Sequence, residues 1–146
     1  MIVLLLLMMV LLVSTMGVQV RRPAPEWSGT ALVSNDQFKV IGSKDYLGKW
    51  LVLFFYPLDF TFVCPTEIVS YSEAAERELQ QIGAHVVGVS VDSKFTHLAF
   101  ASAPRSEGGL GGIGIPLVAD ITKEISRAYG VLDDIPVRIF CTCVGR

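Results

Sequence analysis

Short apolar runs divide the chain into a series of predicted strands. Residues 50–56 (WLVLFFY) form a continuous apolar run of strand length, which is typical of a central strand covered on both faces. Residues 85–91 are predicted to form a second buried strand, and residues 116–119 a short strand. Two further apolar runs within residues 29–41 flank the polar triplet SND, and this arrangement predicts a β-hairpin.

Segments with helical spacing of apolar residues lie between these strands. In residues 67–82 apolar side chains recur three or four positions apart, and the segment ends at Gly83, a typical helix stop. Residues 95–103 and 122–129 are predicted helices as well. Strands that alternate with helices predict an α/β fold with crossover connections. Residues 137–144 could supply one last strand, for which we expect no partner strand.

The N-terminal segment is apolar throughout residues 1–13 (MIVLLLLMMVLLV). This run is shorter than the roughly 20 residues of a membrane-spanning helix and has the length of a signal-peptide core. A secretory signal, an uncleaved membrane anchor and a misassigned start site stay open, because no basic residue precedes the run and the cleavage pattern is poor. We expect residues 1–17 to be a signal peptide or apolar segment, residues 18–132 the folded core, and residues 133–146 a divergent tail. A signal peptide would direct the protein to the secretory pathway or outside the cell, and otherwise we expect it in the cytoplasm.

Composition excludes several classes of function. A chain of 146 residues has the length of one domain that is stable without cross-links. The net charge is -2 and basic residues do not cluster, so nucleic acid is not an expected partner. Three cysteines are an odd number, so we expect at least one free thiol and no disulfide-stapled scaffold. His97 is expected to pack or to form hydrogen bonds, and with His85 as the only other histidine no metal site is expected.

The segment YPLDFTFVCPTE, residues 56–67, concentrates the candidate chemistry. Cys64 lies just before a predicted helix, where unpaired backbone N–H groups and the positive end of the helix dipole favour a thiolate. Thr61 carries a hydroxyl that can hold a peroxide oxygen beside the sulfur, and Pro57 would shield the pocket from water. The alternative at this point is that Cys64 is a small buried apolar residue without chemistry.

A family resemblance adds to this interpretation. The stretch FFYPLDFTFVCPTEI, residues 54–68, resembles the active-site signature of the typical 2-Cys peroxiredoxins, in which Pro57, Thr61 and Cys64 match the family's proline, threonine and reactive cysteine. The likeness continues in PAPEW, VSVD, THLA, GGLG, PLVAD and ISRAYGVL. It implies a thioredoxin-like three-layer sandwich that reduces hydrogen peroxide and organic hydroperoxides without a metal or an organic cofactor. It also implies thioredoxin as the reductant and assembly into a homodimer or a larger oligomer.

The resemblance further implies the roles of individual residues. The Cys64 thiolate would attack the terminal peroxide oxygen and become a sulfenic acid as the O–O bond breaks. Thr61 would orient the peroxide, while backbone N–H groups at the helix start would stabilise the developing charge. Glu67 has two interpretations. It matches the family's glutamate that braces an active-site arginine, or it is a helix-start carboxylate that interacts with the dipole.

The C-terminal part departs from the family pattern. Arg138 is the only candidate for the family's active-site arginine, and an ordinary surface arginine is the alternative. Cys141 and Cys143 do not resemble the family's resolving cysteine, and we expect them on opposite sides of a sheet, poorly placed for a mutual disulfide. We therefore expect a truncated or altered C-terminus that lacks the last strands and the C-terminal arm.

Three functions stay open on the sequence. The first is a working peroxidase in which the Cys64 sulfenic acid is resolved by a small thiol, by Cys141 or by Cys143. The second is a redox sensor or chaperone-like protein that uses the same reactive Cys64 without catalysis. The third is an inactive truncated product.

Overall fold

The computed structural model describes residues 18, 21–34, 36–61, 64–132 and 140–144, and for Cys64 and residues 140–144 it describes the backbone alone. Six strands in this part of the chain are β1 (Ser28–Val33), β2 (Gln37–Gly42), β3 (Trp50–Phe55), β4 (Ala84–Ser90), β5 (Leu117–Ala119) and β6 (Phe140–Val144). They form one mixed sheet in the order β2-β1-β5-β4-β3-β6.

Parallel and antiparallel pairs occupy different parts of this sheet. β1 and β2 pair as an antiparallel hairpin, which confirms the prediction from the two apolar runs. β3, β4 and β5 are parallel neighbours at the centre, where Leu53 pairs with Val87 and Val89 with Val118. The connections between the parallel strands carry two of the predicted helices, at residues 67–82 and 95–103, so the crossover arrangement is confirmed.

The α-helices among the described residues are α1 (Cys64–Ala74), α2 (Lys94–Ser102) and α3 (Glu124–Ala128). α1 continues through a wider turn and a tighter turn as far as Ile82, and the helical path stops at Gly83, whose φ of 69° is left-handed. α2 begins after Ser93, whose hydroxyl accepts a hydrogen bond from the backbone N–H of Thr96. The three predicted helices are thus confirmed, although α1 starts at Cys64 and not at Glu67.

Apolar side chains pack on both faces of the sheet. Alternation along β3 sends Leu53 and Phe55 to one cluster and Phe54 to the other. Ile125 of α3 belongs to the first cluster, whereas Ile68 of α1 belongs to the second. Helices therefore cover both faces, and the predicted three-layer α/β sandwich is confirmed.

β6 corrects two expectations about the C-terminal part. The segment has a partner, because it pairs antiparallel with β3, where Cys141 is opposite Phe54 and Cys143 is opposite Val52. The expectation that the two cysteines lie on opposite sides is also wrong, since alternate positions of one strand share a face. Positions two apart in a strand are separated by roughly 6.4–6.8 Å between Cα atoms. This is the upper end of the range for a disulfide, about 4.4–6.8 Å, so a mutual bond stays unfavourable for a different reason.

Other expectations fall outside the described residues. Residues 1–17 and 133–139 are among them, so the proposed domain boundaries stay predictions. Within the described part of the chain, no helix is long and apolar enough to cross a membrane.

Candidate active site

The candidate site lies where β3 passes through a loop into α1. Tyr56, the residue after β3, is still bonded to β4, since its N–H donates to the carbonyl of Val89 at 3.0 Å. Pro57 is half-buried, Thr61 is partly exposed, and α1 begins at Cys64. The first backbone N–H groups of a helix have no partner within it. One strand-loop-helix connection thus carries Pro57, Thr61 and the start of the helix at Cys64.

The hydroxyl of Thr61 has a definite orientation. It donates to the backbone carbonyl of Leu58 at 3.0 Å. A hydroxyl has one proton to donate and two lone pairs that accept, so this bond leaves the oxygen of Thr61 as an acceptor. The group can therefore receive a hydrogen bond from the O–H of a bound hydroperoxide.

Asp59, between Leu58 and Thr61, is buried in a polar network. One carboxylate oxygen accepts from the hydroxyl of Tyr56 at 2.8 Å, and the other lies 2.8 Å from Nδ1 of His97 in α2. The side chains of Asp59 and His97 are both 0% exposed. Burial and the negative charge of Asp59 raise the pKa of Tyr56 well above its ordinary value. Tyr56 consequently keeps its proton and remains the donor to Asp59.

A second carboxylate holds the backbone of this loop. The N–H of Asp59 donates to Oδ2 of Asp92, just beyond β4, at 2.8 Å. The hydroxyl of Ser90 donates to the same oxygen at 3.0 Å. The loop after β3 is therefore fixed by Asp92, which follows the parallel strand β4 and is itself held by Ser90, the last residue of that strand.

Phe60 adopts a backbone conformation that an aromatic residue rarely takes. Its φ is 57°, in the left-handed region, which costs a residue with a Cβ on the order of 1–3 kcal/mol. Its ring packs against Phe100 of α2 with 4.9 Å between ring centroids. The buried Asp59 on one side and this ring contact on the other hold the strained residue in place.

Glu67 lies in the first turn of α1 and is exposed. This position fits the interpretation as a carboxylate that interacts with the helix dipole. The alternative, in which Glu67 braces Arg138, stays a prediction because Arg138 lies outside the described residues. Glu67 also lines a surface cleft of about 420 Å³ together with Thr66, Ser70, Tyr71 and Ala74.

The two histidines have different surroundings. His97 is a buried hydrogen-bonding residue, which confirms the expectation from the sequence. The ring of the exposed His85 forms a T-shaped contact with the ring of Tyr46, with 5.6 Å between the ring centroids. Among the described residues, no group of three or more His, Cys, Asp or Glu side chains is placed to hold a metal ion.

Sequence reasoning missed Asp59 and Asp92. A signal for both was present, because each follows a predicted buried strand, and polar residues at the carboxyl ends of parallel strands meet at one edge of a sheet. Their partners were harder to predict, since Asp59 and His97 are 38 positions apart.

Comparison with known proteins assigns this site to a family. The chain belongs to the AhpC/TSA family, whose model matches residues 20–142. It is 59% identical over 114 residues to Peroxiredoxin-4 of Dictyostelium discoideum, a match that covers 78% of this chain and 43% of that protein. It is 60% identical over 111 residues to Peroxiredoxin-2 of Rattus norvegicus, which covers 76% of this chain and 55% of that protein. The chain thus spans about half the length of these curated relatives.

Solved structures give the same result for the fold. The reduced 2-Cys peroxiredoxin of Plasmodium vivax superposes with a TM-score of 0.77 at 40% identity, over 80% of this chain and 61% of that one. The mitochondrial 2-Cys peroxiredoxin of Plasmodium falciparum gives a TM-score of 0.76 at 34% identity, over 84% and 75%. The predicted resemblance to the 2-Cys peroxiredoxins and the thioredoxin-like fold are confirmed.

Proposed function

We propose that this chain is a thiol peroxidase that reduces hydrogen peroxide and organic hydroperoxides through Cys64. The observation that carries the proposal is the start of α1 at Cys64, three residues after a threonine whose hydroxyl oxygen is free to accept. Unpaired N–H groups at a helix start favour the thiolate, which is the nucleophilic form. The names of the relatives, peroxiredoxins at 59% and 60% identity, support the same chemistry.

The proposed step balances in atoms and electrons. The Cys64 thiolate donates an electron pair to the terminal oxygen of the hydroperoxide, an S–O bond forms, and the O–O bond breaks. The terminal oxygen keeps its hydrogen, so Cys64 becomes a sulfenic acid. The other oxygen leaves as an alkoxide or hydroxide, takes a proton from water, and departs as an alcohol or as water. Sulfur is oxidised by two electrons and the peroxide is reduced by two.

Two measurements on the 146-residue protein test this function. The pH dependence of Cys64 alkylation should give a thiol pKa below the free value of about 8.5. Single-turnover mixing with hydrogen peroxide, and separately with an organic hydroperoxide, should oxidise Cys64 far faster than a free cysteine at the same pH. A thiol pKa at or above the free value, together with the oxidation rate of free cysteine, would refute the proposal.

We also propose thioredoxin as the reductant that completes the cycle. Before thioredoxin can act, a thiol must condense with the Cys64 sulfenic acid to form a disulfide. In a polypeptide of these 146 residues the other thiols are Cys141 and Cys143. Without a partner that reaches it, a sulfenic acid persists and reacts with more peroxide to give sulfinic acid. Such a polypeptide should then complete at most one turnover with thioredoxin and gain two oxygens on the Cys64 peptide, as intact mass would report. A disulfide from Cys64 to Cys141 or Cys143, with steady turnover, would contradict this expectation.

Self-association with a second copy is a further part of the proposal. Leu58 and Phe60, in the loop beside the site, are exposed apolar residues. Apolar side chains grouped near a functional loop are typical of interaction surfaces. Light scattering on the purified protein should report at least a dimer, and replacement of Leu58 and Phe60 by polar residues should shift it toward the monomer. A monomer at micromolar concentration would contradict this part.

For the N-terminal segment we propose that residues 1–17 act as a secretory signal peptide. The supporting observation is the apolar run at residues 1–13, which has the length of a signal-peptide core. Mass spectrometry of protein recovered from the medium of secreting cells should find this segment removed. Intact protein retained in the cytosol would contradict it.

A further inference from the structure

The peptide group between Leu58 and Asp59 is engaged at both ends. Its carbonyl oxygen accepts the proton of the Thr61 hydroxyl at 3.0 Å. Its N–H donates to Oδ2 of Asp92 at 2.8 Å. Any rotation of this peptide would carry the carbonyl away from Thr61, so the orientation of the Thr61 hydroxyl depends on how firmly the peptide is held.

The side chain of Asp59 fixes the same peptide from the interior. Its two carboxylate oxygens are bound to Tyr56, just after β3, and to His97 of α2. Buried hydrogen bonds to a carboxylate are short and strong because water does not compete for them. The other ring nitrogen of His97, Nε2, is buried without a hydrogen-bond partner in the described part of the chain. In that part, the ring of His97 therefore directs its hydrogen bonding toward the loop that carries Thr61.

The backbone of the loop shows why such an anchor is needed. Phe60, between Asp59 and Thr61, is held at a positive φ of 57°. A residue with a Cβ leaves this conformation unless its neighbours are fixed. Relaxation of Phe60 would move Thr61, the next residue, relative to the start of α1.

We propose that the buried Asp59–His97 pair, together with Asp92, positions the Thr61 hydroxyl for the reaction with peroxide. These are positioning residues that act through Thr61 and do not touch the peroxide. The proposal rests on the thiol peroxidase function proposed above. A misplacement of about 1 Å at a reacting group can cost roughly a hundredfold in rate.

Two variants of His97 separate hydrogen bonding from packing. The side chains of asparagine and leucine have nearly the same shape, and only asparagine keeps a hydrogen-bond donor close to the position of Nδ1. Two rate constants are measured for each variant, oxidation of Cys64 by hydrogen peroxide and alkylation of Cys64 by iodoacetamide, which does not require an oriented hydroperoxide. We expect His97→Leu to lower the peroxide rate constant at least about tenfold relative to His97→Asn, with alkylation changed less than about threefold in both. Equal peroxide rates for Asn and Leu, or a parallel loss of alkylation, would overturn the proposal.

A cycle with Thr61→Val tests whether the effect passes through Thr61. In that background His97→Leu should lower the peroxide rate less than about twofold, because the group that it positions is already absent. An undiminished loss in the Thr61→Val background would show that His97 acts by another route and would overturn the proposal.

A measurement without peroxide keeps the proposal separate from the proposed function. Backbone amide hydrogen exchange at Asp59 should accelerate at least about tenfold in His97→Leu and stay near wild type in His97→Asn. Unchanged amide exchange at Asp59 in His97→Leu overturns the positioning role. If the wild-type protein has protected amides but does not react rapidly with peroxide, only the proposed function is refuted. If His97→Leu does not fold, Asp92→Ala replaces it in the experiment, because Asp92 is only partly buried. The proposal then requires that Asp92→Ala shows the same loss of peroxide rate and the same loss of amide protection at Asp59.

Discussion

Asp59 and Asp120 are two buried aspartates that follow strands of the parallel part of the sheet, and they differ in their partners. The carboxylate of Asp120 accepts from the backbone N–H groups of Ile125 and Ser126 at 3.2 and 2.8 Å, and from the hydroxyl of Ser126 at 2.7 Å. All these donors lie within six positions, at the start of α3. Asp59 instead joins Tyr56 to His97, a residue 38 positions away on another helix.

The difference shows which buried carboxylate stabilises an element and which one sets the geometry of a site. Backbone N–H groups only donate, so Asp120 provides the acceptors that the first turn of α3 lacks. A hydroxyl and an imidazole can each donate or accept, and the partners of Asp59 are of this kind. A local set of donors holds one helix start. A long-range set holds a loop against a helix, and here that loop carries Thr61.

The largest effect should come from removing the reactive sulfur at the site that Asp59 supports. Cys64→Ser should abolish rapid peroxide consumption, because the thiolate is the nucleophile and serine has only a hydroxyl, which is not ionised at neutral pH. Replacement of both Cys141 and Cys143 by Ser should leave the first oxidation of Cys64 intact. Stopped-flow mixing with peroxide measures both rates. Loss of the first-turnover rate in a folded Cys141/Cys143 variant would assign the reactive thiol to β6 and break the comparison at its start.

A smaller but still large effect is expected at Thr61. A positioned hydroxyl contributes roughly 2–4 kcal/mol to transition-state stabilisation, so Thr61→Val should slow Cys64 oxidation by about two orders of magnitude or more. Thr61→Ser keeps the hydroxyl and should change the rate only mildly. Single-turnover kinetics with hydrogen peroxide decide between them. If Val and Ser variants react equally fast, the hydroxyl has no part in the chemistry.

Sequence patterns predicted the elements that bring these groups together. The apolar run ending near Tyr56 and the helical spacing after Cys64 placed the site at a strand-loop-helix connection, because burial on both faces leaves a direct trace in the sequence. The left-handed conformation of Phe60 left no such trace, since phenylalanine has no preference for positive φ. It depends on contacts with α2, which a local pattern does not contain.

Long-range pairings were the main source of error. The partner of β6 is β3, some 90 positions earlier in the chain, and pairing over such a separation depends on the order of strands in the sheet. The same reason explains why His97 was expected only to pack or to form hydrogen bonds, with no partner named. The faces of Cys141 and Cys143 are a different case, because the period of a strand already places them together.

Replacement of Asp59 or Asp120 by asparagine tests the comparison through the free energy of unfolding. In Asp120→Asn the amide N–H₂ would face backbone N–H groups that cannot accept, and a loss of about 1–3 kcal/mol in the free energy of unfolding is expected. In Asp59→Asn the partners can reverse their roles, so less than about 1 kcal/mol should be lost. Asp120→Asn should leave the peroxide rate of the folded protein unchanged. Denaturant unfolding and single-turnover kinetics measure the two effects, and a larger stability loss at Asp59 would contradict this account of the partners.

The smallest effect is expected for Ser126→Ala, which removes one of the three hydrogen bonds that Asp120 accepts. The lost hydroxyl bond is worth about 0.5–1.5 kcal/mol, and both backbone donors remain on the carboxylate. Alanine also favours a helix more than serine does, which offsets roughly 0.5 kcal/mol of this loss. We therefore expect the free energy of unfolding to fall by less than about 1 kcal/mol, with no change in the rate of Cys64 oxidation. Denaturant unfolding of Ser126→Ala and of Asp120→Asn measures the stability loss of each variant, and thus the ratio of the two losses. If Ser126→Ala lost as much stability as Asp120→Asn, the hydroxyl of Ser126 and not the backbone of α3 would be the main partner of Asp120. If Ser126→Ala slowed the oxidation of Cys64 by peroxide, the hydrogen bonds of Asp120 would belong to the site as well.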